Sequence, residues 1–117
     1  FAVIPLDLPS GCTVTDVELL VKSHSARVGT NRWALAVHKQ SSPWSSPAAP
    51  TAVQQGSTAY CGTGSGHSLA VVSGLSALIA TEETMHAIVT GPTGSRGSDD
   101  RLLAIRVTFT DGGPRNA

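Results

Sequence analysis

Residues Arg101–Thr110 read Arg-Leu-Leu-Ala-Ile-Arg-Val-Thr-Phe-Thr. As an extended chain, this stretch puts Leu103, Ile105, Val107 and Phe109 on one face and Leu102, Ala104, Arg106 and Thr108 on the other. Successive side chains of a strand point to opposite sides, so a period of two buries one row and wets its partner. The same period recurs three times. Thr13–Lys22 sets Thr15, Val17, Leu19 and Val21 on one face, with Asp16, Glu18 and Lys22 sharing the other with Val14 and Leu20. Arg32–Lys39 turns Trp33, Leu35 and Val37 inward and Arg32, Ala34, Ala36 and His38 outward, and the third repeat runs around Met85–Val89.

Between these segments the chain is rich in glycine, proline and serine. Phe1–Leu8 predicts a first strand with Phe1, Val3 and Leu6 inward, stopped by Pro5 and Pro9 because proline cannot donate to a ladder. Ser23–Asn31 is a polar turn region, and Gln40–Pro50, with three prolines, is the main loop. Ala52–Gln55 and Thr58–Cys61 are short edge pieces on either side of Gly56, and His67–Ser73 alternates weakly. Leu75–Ala80 fits either a strand or one helical turn, and Thr84–Gly91 is a strand. The pattern predicts an all-β fold, an antiparallel jelly-roll-like β-sandwich of about seven or eight strands. At 117 residues the chain, 1–117, fits one domain. It opens on Phe1 inside a strand-like run rather than on methionine, as expected of a fragment or processed part of a longer chain.

Composition narrows the function classes. Eight basic residues balance eight acidic ones, which argues against nucleic acid, since that partner calls for a basic face. Apolar runs fall far short of the roughly 20 residues of a membrane-spanning helix. Charged residues make up 14% of the chain, against about 25% in ordinary domains. A charge-poor surface at zero net charge tends to associate, so a homo-oligomer is expected.

No pattern of catalytic residues stands out, and the chain is read as non-enzymatic. Gly62–Gly66 lacks the lysine and following helix of a phosphate loop, and Gly64-Ser65-Gly66 lacks the spacing of a nucleophile elbow. His24, His38, His67 and His86 are scattered and read as surface or interface side chains. Asp99-Asp100 beside Arg96 and Arg101 makes a poor calcium cage. No metal or cofactor is expected. Cys12 and Cys61 enclose about 50 residues; a bridge between them would stabilise by about 4 kcal/mol in the chain-entropy model, and two separate buried thiols are the alternative. Trp44, in the long loop with no alternation to bury it, is a candidate ligand or partner contact, as are Tyr60 and Arg96. Trp33 belongs to the core.

The opening Ile4-Pro5-Leu6-Asp7-Leu8-Pro9-Ser10-Gly11, leading into Thr13-Val14-Thr15-Asp16-Val17-Glu18, resembles the start of β-sandwich modules of bacteriophage virion proteins and bacterial surface proteins. The ending, His86-Ala87-Ile88-Val89-Thr90-Gly91 followed by a loop and Leu103–Thr110, is similar to the closing hairpin of such modules. The resemblance covers the two ends of the chain and describes strands and turns, so it carries over no site residue. It implies jelly-roll-like domains that pack as trimers or repeated copies in tail fibres, spikes or head decorations. Expected partners are then other copies of the chain, most simply a trimer, other virion proteins, and a host surface glycan or protein, with the virion surface as location. The alternative is a secreted carbohydrate-binding module acting as a monomer.

Overall fold

The computed structural model describes residues 2–23, 32–41, 52–62, 66–80, 83–92 and 100–110. These form an antiparallel β-sandwich of eight strands: β1 (Ala2–Leu6), β2 (Thr13–Ser23), β3 (Trp33–Gln40), β4 (Ala52–Cys61), β5 (Gly66–Val72), β6 (Ala77–Leu78), β7 (Thr84–Thr90) and β8 (Arg101–Thr110). One sheet has the order β1-β7-β3-β4; in the other, β2 is central, flanked by β8 on one side and by β5 and then β6 on the other. The chain crosses between the sheets at five of its seven connections, while β3–β4 and β5–β6 stay within one sheet. Expected and observed strands agree closely, but β7 and β8 lie in different sheets, so the ending is a crossover and not the hairpin the resemblance implied.

The core is the contact between two rows. From β2 come Val14, Val17, Leu19 and Val21; facing them are Leu35 and Val37 of β3 and Met85, Ala87 and Val89 of β7, every one of them buried. Ala70 and Val72 of β5, Ala77, Ile79 and Trp33 complete it. Apart from Trp33 and Met85 these are short or branched side chains, which interdigitate in the roughly 10 Å between stacked sheets. Lys39 stands at the end of the inward row of β3. Its ammonium donates to the Leu78 carbonyl at 3.2 Å and lies 3.7 Å from Glu83 Oε1, which ties the two sheets together at that end.

Two bulges move side chains between faces relative to strict alternation. Between Val14 and Asp16 the pairing of β2 with β8 slips, because Thr15 is the extra residue. Val14 therefore turns inward with Val17, and Thr15 is half-buried instead of joining the core row. The Thr15 carbonyl is not lost, since it accepts from the Leu75 amide at 2.9 Å. The second slip lies between the Leu20–Ala104 and Val21–Leu102 pairs and leaves Leu103 unpaired. Leu102 takes the inward place beside Ile105 and Val107, while Leu103 is 41% exposed and Phe109, at the far end of an edge strand, 43% exposed. A bulge adds one residue to one strand only, so the faces exchange across it.

Other expectations change for similar reasons. In β1 it is Ile4 and Leu6 that face the core, and Val3, paired with Ile88, points out. The two edge pieces around Gly56 are a single strand, β4, with extra residues accommodated between the Leu35–Ala59 and Val37–Gln55 pairs. Gly56 has φ +72 and lies so close to Val72 and Leu75 that a Cβ there would meet both at 3.0 Å. Leu75–Ala80 holds a two-residue strand, not a helical turn. Cys12 and Cys61 are both buried free thiols. Cys12 precedes the first residue of β2, while the Gly62 backbone beside Cys61 approaches Ser23 at its last. A strand of that length holds them apart, so no bridge forms.

The placement of β8 is open to test. In urea unfolding, Leu19→Ala is expected to cost about 2–5 kcal/mol and Leu103→Ala about 0.5 kcal/mol or less, with Leu102→Ala in between. If Leu103→Ala costs more than Leu102→Ala, the second bulge is misplaced.

Candidate functional site

With one face of β2 committed to the core, its other face presents Asp16, Glu18, Leu20 and Lys22 outward. Register decides what stands beside them. Leu20 lies between Leu69 of β5 and Ala104 of β8, and Glu18 between Val71 and Arg106. Arg106 Nη2 donates to Glu18 Oε2, closing one side of a shallow concavity of about 350 Å³ lined by Glu18, Leu20, Leu69, Ala104 and Arg106. Leu69 is 53% exposed and Val71 44%. Leu78, on β6, adds a third large apolar side chain to the exposed surface of this sheet. The backbone groups of β2 are used in ladders on both sides. The five lining residues therefore offer hydrocarbon and one carboxylate already held by a guanidinium. The arrangement can bind an apolar surface.

The outer face of the other sheet differs. Strands β1, β4 and β7 contain no Asp, Glu, Lys or Arg, and the one such residue of β3, Lys39, lies on the inward row. At its middle His38 and His86 are directly paired across β3 and β7, with ring centres 5.5 Å apart and planes within 6° of parallel. Both point outward, as the alternation predicts. Burial, and then the neighbouring His38, hold the His86 imidazole below its usual pKa of 6.5, and His38 Nδ1 is buried with no hydrogen-bond partner.

Of the residues expected to contact a ligand or partner, Trp44 and Arg96 lie outside the described residues. Tyr60 is on β4, paired with Ala34, and the Arg32 guanidinium sits 5.2 Å from the centre of its ring. That cation covers one face of the ring, and Tyr60 is on the opposite sheet from the groove. Burial pushes the Cys61 thiol up from its usual pKa, so it stays protonated and unreactive. Among the described residues no cluster of three or more His, Cys, Asp or Glu could hold a metal ion, and no helix is long and apolar enough to cross a membrane. The groove residues were missed as a group, although Leu20 and Ala104 on outward rows were visible signals. What was hidden is that β5 brings Leu69 and Val71 beside them.

No protein-family model matches the chain, and no curated protein or solved structure shows significant similarity to it.

The depressed pKa of His86 has a sign. A base that binds its proton less readily folded than unfolded contributes stability above pH 6.5 that is lost as pH falls below it. The effect is small because water screens much of the ring. The urea midpoint is expected to drop between pH 7.5 and pH 5.5, and to drop less in His86→Gln; equal drops in the two proteins would refute the assignment.

Proposed function

We propose that this protein is a non-enzymatic structural or attachment module that works as a homo-oligomer, its copies packed through the outer face of the β2 sheet. The observation that carries this reading is the groove itself. Leu69 and Val71 are large, apolar and about half exposed beside Leu20 and Ala104, and Leu78 adds a further exposed apolar side chain farther along the same face, opposite Thr13. Contiguous apolar surface of this kind marks an interaction site. Covering it with a second copy is favoured by charge. At the groove the one acid, Glu18, is paired with the one base, Arg106, Asp16 and Lys22 stand toward opposite ends of the same row, and eight positive charges cancel eight negative ones over the chain. Copies approach without net repulsion, and a neighbour's groups can exchange partners with this pair.

The placement in a particle rests on the resemblance of the opening of the chain to phage virion modules, since the closing hairpin is not formed; that resemblance implies three copies at a virion surface, in a fibre, spike or head decoration. The apolar lining of the groove, with its one carboxylate held by Arg106, supports a binding role.

Light scattering at micromolar concentration is expected to give a discrete oligomer at a whole multiple of 12.0 kDa, with three copies the expectation from the resemblance. Leu69→Lys with Val71→Glu should shift it to monomer while leaving the thermal midpoint of the monomeric fold within a few degrees. A wild-type monomer at the same concentrations would overturn the reading.

A further inference from the structure

The two histidines that meet on the opposite face form a cluster the proposed function does not use. His38 and His86 sit directly opposite one another on neighbouring strands, which fixes their Cβ atoms about 4.5–5.5 Å apart. The pair stands in a row across the sheet, with Pro5 beside His86 and Gln54 beside His38. Neither neighbour carries a charge, and the strands set no lysine or arginine on this side. A dication approaching the pair therefore meets no repelling side chain on these strands.

We propose that His38 and His86 form a bidentate site for a divalent late transition-metal ion, with water completing the coordination. With metal–nitrogen bonds of about 2.0–2.1 Å at a tetrahedral angle, the centres of two ligating imidazoles lie about 5 Å apart. The observed 5.5 Å is already close to that. The rings are parallel, so each must turn about χ2 to aim a nitrogen at a shared point. That torsion is broad for histidine, and the ladder holding both backbones need not move. The turn also gives a partner to a group that lacks one, since His38 Nδ1 is buried without a hydrogen bond, a condition that ordinarily costs stability. Two imidazoles and open positions suit copper, nickel and zinc over magnesium or calcium, and the Irving–Williams order puts copper(II) first.

The site faces away from the groove, so metal binding and oligomer formation can fail separately. The test is calorimetric titration of the EDTA-dialysed protein with Cu²⁺, Ni²⁺ and Zn²⁺ at pH 7.5, alongside His38→Ala, His86→Gln and, as a control, His67→Ala. Saturable one-to-one binding is expected, tightest for copper, weakened at least tenfold by either of the first two substitutions and little changed by the control. Thermal midpoints in EDTA confirm that each variant is folded. In the wild-type protein, the electron paramagnetic resonance spectrum of bound Cu²⁺ should show hyperfine splitting from two nitrogens, a readout that needs no variant. No saturable binding below millimolar metal, loss of binding on His67→Ala alone, or affinity unmoved by His38→Ala and His86→Gln would each overturn the proposal.

Discussion

Everything in this molecule follows from the need to bury the row Val14, Val17, Leu19 and Val21. Each of these side chains is fully enclosed, and one strand cannot enclose its own face. Sheet pairing gives β2 neighbours on both sides, and the second sheet covers the row from above with Leu35, Val37, Met85, Ala87 and Val89. At roughly 25 cal/mol for each Å² of apolar surface removed from water, this contact is the main favourable contribution to the fold. Hydrogen bonds fix the register, and the register then decides which side chains share the outer faces.

That order of causes explains why the groove exists. Once the inner row of β2 is buried, Glu18 and Leu20 must face outward, and the ladders to β5 and β8 set Leu69, Val71, Ala104 and Arg106 around them. An ordinary half-buried sheet would carry charges or hydroxyls at most of these positions. Here the ion pair is flanked by aliphatic side chains, and an aliphatic surface left in water favours association. The other sheet shows a second solution to an outer face: uncharged, with two histidines across its central strands. The two faces differ in chemistry.

The bulges show how local irregularity reallocates side chains at little expense. Thr15 and Leu103 are each one residue too many for their partner strand. Without the first, Val14 would be stranded on the polar face. Without the second, Leu103 would take the place of Leu102, and the residues before it would change sides. Both bulges lie on the β2–β8 pair, near opposite ends of the ladder, so the middle, where Glu18 meets Arg106 and Leu19 meets Ile105, keeps regular register.

The all-β class, the strand positions and most of the core were legible in the chain, because alternation is a local property of consecutive residues. Trp33, Leu35 and Val37, or Met85, Ala87 and Val89, announce their common face by spacing alone. A lack of charge was equally visible from composition. What only the folded structure decided is which strand lies beside which. Pairing between residues tens of positions apart, such as Leu20 with Leu69 and Ala104, or His38 with His86, depends on long-range packing that no short window of sequence contains. The bulges belong to the same class: whether a strand carries one residue too many is defined only against its partner. For the same reason Cys12 and Cys61, plausible partners by their flanking turns, stand at opposite ends of β2 as separate buried thiols.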